Sequence, residues 1–349
     1  MKIAFPYNTF PGGFLKSLTD SFINLGHETF TVEKYAPAFL NRLIRKTRFE
    51  PFVSNATLEK DKLYNADFLK QISDYKPDVF INFSGGGLFP TTVKKIKENS
   101  KCLMVCFIAD NPCDPDPRRD QYLPMTLPYY DIFLNPESVW DKLINNLCVN
   151  PKIIRFYGGY DPDKFFPIDK KSISEAERKE LECDVSFTGG SYNKSAEGGY
   201  RSGILNQLDE FNVKIWGDKG WEYRFEFMPK IKEAYQGSRL SYDKLLKLYS
   251  LSKVNLNIPS PQIFTSFQPR VFDIAASKGF QIIDHSNELY NIFDKEEVVT
   301  FKSISELKNK IRLYKDNENF KKQIVEAMYN KIKEDYTWEN QAKRIIQSL

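Results

Sequence analysis

Arg270 and Asp273 stand three residues apart in FQPRVFDIAASKG, residues 267–279, where charged side chains coincide with a helix start. Pro269 suits a first helical turn, whose missing N–H costs nothing, and Val271, Phe272, Ile274, Ala275 and Ala276 make an apolar run that a packed helix buries. Gly279 is read as the helix stop and residues 280–283 as a buried strand behind it. In an open α/β sheet, ligands sit beyond the carboxyl ends of the strands. A helix start there attracts an anionic phosphate, the Arg270 fork adds a cation, and Asp273 can accept hydrogen bonds from both hydroxyls of a ribose. That chemistry is the binding of a nucleoside diphosphate. The same two residues also suit a plainer reading, an aspartate stabilised by the helix dipole beside a surface arginine.

Other candidate residues stand at the ends of predicted strands. Residues 184–188 lead into Gly189 and Gly190, which would let a pyrophosphate approach the backbone, with Lys194 or Arg201 offsetting its charge. Lys194 reads equally well as a solvated loop lysine. The strand over 254–258 ends in Pro259, Ser260, Pro261 and Gln262. Nearer the start, a strand over 2–6 runs into Gly12 and Gly13, and a buried strand over 78–83 runs into Gly85, Gly86 and Gly87. The first loop matches neither GxGxxG nor a P-loop, so it also reads as an ordinary βα turn. A strand over 102–109 ends in Asp110, which either serves as a base or orienting group or caps the next turn. Trp216, Trp221 and Tyr242 could stack on a base, and core packing explains each as easily. Asp114-Pro115-Asp116 imitates a DxD metal pair, but no metal site is expected.

The elements that must position these residues alternate between strand and helix twice over. The expected fold is α/β, two doubly wound Rossmann-like domains, without short repeats or low-complexity segments. At 349 residues the chain is long for one core and comfortable for two. Residues 1–168 read as the first domain, 169–335 as the second, and 336–349 as a final helix returning to the first. The charged stretch 169–182 fits a mobile linker, with a hinge expected near residues 165–182. A helix is expected from 61 to 75 after an irregular stretch 35–60, another near Tyr200 and Arg201, and a third over 241–249 with Ser241 as its cap.

Fifty basic against 46 acidic residues leave a net charge of +4, so the whole chain is no electrostatic magnet for nucleic acid. Arg42, Arg45, Lys46 and Arg48 form a local run that suits an anionic acceptor, a membrane surface or a solvated helix face. Five cysteines without paired CxxC spacing and two histidines leave little for zinc and read as reduced thiols. With neither a signal peptide nor a long apolar run, a soluble cytoplasmic protein is expected.

Several separated segments resemble the spore-maturation CgeB-like family of glycosyltransferases, whose fold is the two-domain GT-B architecture. They are the segment around Arg270, where that family usually has Glu and this chain has Asp273, the loop after Asp110, residues 157–167, Gly189 to Arg201, and residues 335–338 with Arg344. The resemblance covers most of residues 70–349. It implies transfer of a sugar from a nucleotide-diphosphate sugar, UDP favoured, with retention and without a metal or other cofactor. The implied acceptor is a surface glycan or glycoprotein. Arg270 and Asp110 would be catalytic, and Gly189, Gly190, Arg201, Ser260, Arg270 and Asp273 would hold the donor nucleotide. Gly12, Gly13, Gly86 and Gly87 would face the interdomain cleft near the acceptor. Retaining relatives often carry a second acid eight residues before the ribose acid. Thr265 stands there, so Ser266, Gln268 or loop backbone would replace it.

Three other readings stay open. The acceptor could be a hydroxylated base in DNA, with the basic run 42–48 as its hint; the chain could bind nucleotide without turnover; or it could be a sugar-nucleotide epimerase of the same architecture.

Overall fold

The computed structural model describes residues 1–6, 14–33, 50–83, 87–113, 122–192, 196–260 and 262–349. Two compact units emerge, one of Met1–Phe156 with Ala342–Leu349 and one of Tyr157–Gln341.

In the first unit, β1 (Lys2–Phe5), β2 (Glu28–Thr31), β3 (Val79–Phe83), β4 (Leu103–Phe107), β5 (Ile132–Asn135) and β6 (Lys152–Arg155) form one sheet in the order β2-β1-β3-β4-β5-β6. Every pairing is parallel. The inner strands read VFINF and LMVCF because helices cover both faces of a parallel sheet, leaving no solvent face for polar residues to occupy. Phe68, Phe80, Met104 and Phe133, all fully buried, lie in its core. Asn65, on the helix Glu50–Tyr75, donates to Gly87 O at 3.0 Å and accepts from Phe89 N at 2.7 Å. It thereby pins the chain shortly after β3.

The second unit repeats the plan with β7 (Val185–Thr188), β8 (Val213–Trp216), β9 (Tyr235–Gly237), β10 (Val254–Asn257), β11 (Gln281–Asp284) and β12 (Thr300–Phe301). Their order is β12-β11-β10-β7-β8-β9, again all parallel. Val185 of β7 pairs with Val213 on one side and Val254 on the other, so the strand order reverses between β7 and β10. In a doubly wound sheet such a reversal opens a crevice at the strand ends. Trp221, Phe187, Ile215 and Leu256 fill the core on one side, and Phe272, Val271, Ile283 and Phe293 belong to a second cluster.

Local structure departs from the sequence expectation at five places. The helix expected from 61 begins at Glu50, because its first turns carry no apolar stripe to betray them. Within the stretch read as a linker, Glu175–Leu181 is a helix closed by a capping box, Ser174 and Glu177 each satisfying the other's backbone N–H. Its Glu177 and Glu180 pair with Lys247 and Lys244 of the helix Tyr242–Leu251. The helix expected near Tyr200 starts at Ala196, so Arg201 lies in its second turn. The short strand β9 was not expected at all.

Gly279, finally, does not stop its helix by a left-handed turn. Lys278 holds that conformation, with φ of 50°, and the helix ends at Ala276. Gly279 is there for space, since a Cβ would sit 2.6 Å from Tyr249 O.

Candidate functional site

A pocket of about 610 Å³ opens in the second unit, at the reversal between β7 and β10. Its floor comes from chain leaving β7 (Thr188 to Tyr192), β8 (Trp216, Asp218) and β9 (Arg239, Leu240), and from Gln268, Arg270 and Asp273 after β10. One wall is the helix Tyr242–Leu251, whose Tyr242, Leu245 and Tyr249 recur at three and four residues and so share a stripe. From the end of β10 to the end of β9 are three strand spacings, roughly 14 Å.

The loop after β7 is braced from several directions. Arg201 is 2% exposed; its Nε donates to Ile258 O at 3.2 Å and Pro259 O at 3.3 Å, and its Nη1 donates to Gly190 O at 3.2 Å. The guanidinium also lies 4.8 Å from the Tyr192 ring centre, a cation–π contact. Trp221 Nε1 donates to Gly189 O at 3.0 Å. Asp218 accepts from Ser191 N at 2.9 Å, from Gly220 N at 2.8 Å and from the Ser191 hydroxyl. Burial pushes the Asp218 carboxyl up, yet these donors outweigh it and hold the pKa below the ordinary carboxylate value. Gly217 closes the arrangement, because a Cβ there would fall 2.1 Å from Gly189 O.

The opposite side carries charge with fewer partners. Arg270, the first residue of its helix, donates from Nη1 to Gln268 Oε1 at 3.1 Å and bonds the Tyr249 hydroxyl, which also meets Thr188 Oγ1 at 3.3 Å. Burial pushes Tyr249 up to about 12, so it stays a phenol that can accept from the guanidinium. Asp273 is half-buried, and its carboxylate accepts no hydrogen bond among the described residues. Burial raises its pKa to about 7 against the pull of Arg270, with Asp161 adding to the rise and Lys164 opposing it. An ionised carboxylate without donors in a poorly solvated pocket is unfavourable, and ligand hydroxyls would relieve it.

Gly189, Gly190, Arg201, Arg270 and Asp273 thus meet at one pocket, as does Gln268. Ser260 is buried and caps the next turn, accepting from Gln262 N at 3.4 Å, and is not part of the lining. Thr265 turns its carbonyl to Glu288 N and to the Ser286 hydroxyl, and Ser266 is buried beside it. Trp221 is core, with its N–H on Gly189, while Trp216 and Tyr242 line the pocket. Asp110 is exposed just beyond β4 in the first unit, and Gly87 has φ of 63°. Gly12, Gly13, Gly86, Lys194, the run 42–48 and the Asp114, Asp116 pair lie outside the described residues. Among the described residues no group of three His, Cys, Asp or Glu is placed to hold a metal ion, and no helix is long and apolar enough to cross a membrane.

Sequence reading passed over Asp218, Tyr249 and Arg239. Asp218 had a signal, since an aspartate two residues before a glycine invites an Asx turn. The other two are brought to the pocket only by the packing of their elements.

Residues 201–347 match a family model described as "Glycosyl transferase-like". No curated protein matches the chain. Among solved structures, the sucrose-phosphate synthase of Thermosynechococcus elongatus superposes with a TM-score of 0.69 at 12% identity, covering 99% of this chain and 98% of that one. Anabaena Alr3699/HepE in complex with UDP and glucose gives 0.65 at 12% identity, covering 100% and 99%. The α,α-trehalose 6-phosphate synthase of Burkholderia multivorans gives 0.65 at 10% identity, covering 99% and 95%. The chain therefore has the two-domain GT-B fold, and its residues 201–347 are similar to a glycosyltransferase-like domain.

Proposed function

We propose that this protein is a glycosyltransferase that moves a sugar from a nucleoside-diphosphate sugar, UDP-sugar first, to an acceptor hydroxyl or similar nucleophile. The observation that carries the reading is Asp273, a carboxylate that accepts no hydrogen bond among the described residues, set one helical turn from Arg270 and across the pocket from Gly189 and Gly190. Ribose hydroxyls would satisfy Asp273, and the diphosphate would lie between Arg270 and the glycine backbone. The glycosyltransferase-like match and the UDP bound by Anabaena HepE support the same assignment.

In the reaction, the bond from the anomeric carbon to the diphosphate oxygen breaks and a bond to the acceptor oxygen forms, while the acceptor's proton leaves. Arg270 and backbone N–H groups stabilise the departing diphosphate, and positioning supplies the rest. Arg201 lines the pocket and holds its loop in place, with Nε and Nη1 donating to three backbone carbonyls. Asp110 is assigned to the acceptor as base or orienting group, with Gly12, Gly13, Gly86 and Gly87 on the acceptor side. The resemblance to the CgeB-like family supports a retaining, metal-independent reaction on a surface glycan or glycoprotein by a cytoplasmic enzyme.

The test is thermal stabilisation of wild type and Asp273→Ala by UDP, GDP, TDP, ADP and CDP, followed by turnover of the matching sugar nucleotide. A ligand bound only to the native state raises its melting temperature. Stabilisation of wild type by one nucleotide, lost in a folded Asp273→Ala protein and accompanied by sugar transfer, is the expected result. Absence of any shift at millimolar nucleotide would sink the assignment. Binding without hydrolysis or transfer would turn it into a nucleotide-binding protein.

A further inference from the structure

The pocket has a second cationic end, and its chemistry discriminates between bases. Arg239, on the chain leaving β9, lines the pocket, is exposed, and makes no hydrogen bond or ion pair among the described residues. Leu240 and Tyr242 flank it, Tyr242 being 43% exposed at the start of the wall helix. From Tyr242 to Tyr249 the helix advances roughly 10 Å, so the stripe leads from Arg239 to the neighbourhood of Asp273. A nucleotide whose ribose is held at Asp273 therefore extends its base along this stripe. The edge farthest from the sugar, position 4 of a pyrimidine or 6 of a purine, meets Arg239.

A guanidinium has five donors and no acceptor. It pairs with the carbonyl at that edge of uracil, thymine or guanine, and faces the amino group of cytosine or adenine donor against donor. We infer that Arg239 reads the distal edge of the donor's base and restricts this protein to keto-base nucleotides. The inference rests on the nucleotide reading of the pocket.

UDP and CDP are the decisive probes, since they differ only in the carbonyl or amino group at position 4 and in the proton that N3 carries in uracil. By titration calorimetry on the full chain, UDP should bind wild type about tenfold or more tighter than CDP, the scale of one good base-edge contact. Arg239→Met should bring the ratio toward one by weakening UDP and leaving CDP where it was. Arg239→Glu, an acceptor, should favour CDP, because a carboxylate accepts from the cytosine amino group. Arg239 is exposed, and matching melting temperatures would establish that each variant folds. Equal binding of UDP and CDP to wild type, or an unchanged ratio in Arg239→Met, overturns the inference while leaving the nucleotide site intact. Failure of every nucleotide to bind wild type removes both.

Discussion

Asp218 and Asp273 line the same pocket, yet among the described residues one accepts three hydrogen bonds and the other's carboxylate accepts none. Asp218 takes two backbone N–H groups and a hydroxyl, and its pKa falls. Asp273 takes no hydrogen bond among the described residues, and burial carries its pKa up to about 7. A carboxylate whose bonds are complete is a brace; one left incomplete beside an arginine suits a ligand that brings its own donors. The same division separates the arginines. Arg201 is buried and holds three backbone carbonyls through Nε and Nη1, whereas Arg270 starts its helix at the pocket and reaches Gln268 and Tyr249.

Damage to the braced side should cost most. Gly217→Ala puts a methyl 2.1 Å from Gly189 O and should lose about 3 kcal/mol or more in denaturant unfolding. An unchanged midpoint would mean the β7 and β8 loops are not locked together. Asp218→Asn exchanges an acceptor for an amide that must turn donors toward donors, and should cost about 2 kcal/mol. The same change at Asp273 should cost no comparable stability, and equal losses at both positions would erase the contrast drawn here.

Nucleotide binding should report Asp273 directly. Ribose hydroxyls donate to the ionised form, so affinity should fall as pH drops below about 7, by up to about tenfold per pH unit, and Asp273→Asn should lose this dependence. Calorimetry showing a flat profile in wild type would place the titrating group elsewhere. A further effect concerns the free protein. Its Asp273 pKa lies above the unfolded value near 3.9, so the native state binds more protons between the two, and stability declines as pH rises from about 4 to about 7. The melting temperature of Asp273→Asn relative to wild type should therefore improve from about pH 5 to about pH 8. The opposite trend would show Asp273 to be stabilised as an anion.

Much of the fold was legible because period and capping are local. Alternating strands and helices announced two parallel sheets, Ser241 announced its helix by accepting from Lys244 N, and Pro269 preceded Arg270 as the helix start. The pair Arg270 and Asp273 was legible for the same reason, one turn of one helix. Elements without an apolar stripe were harder, as with the first turns after Glu50 and the three residues of β9. Arg201 was named for its type, but a sequence cannot show that carbonyls from residues 190, 258 and 259 would converge on it. Asp218, Tyr249 and Arg239 reach the pocket through strand order, which no local pattern encodes.

The wall helix carries one more consequence, for how this chain can change over evolution. Its Tyr242, Leu245 and Tyr249 face the pocket while Lys244 and Lys247 hold Glu180 and Glu177 of the neighbouring helix. Successive helical residues are about 100° apart, so one inserted residue between Tyr242 and Tyr249 would swing the downstream stripe away and turn a lysine toward the pocket. Point substitutions can retune this wall one side chain at a time, whereas insertions and deletions within it would dismantle both faces together.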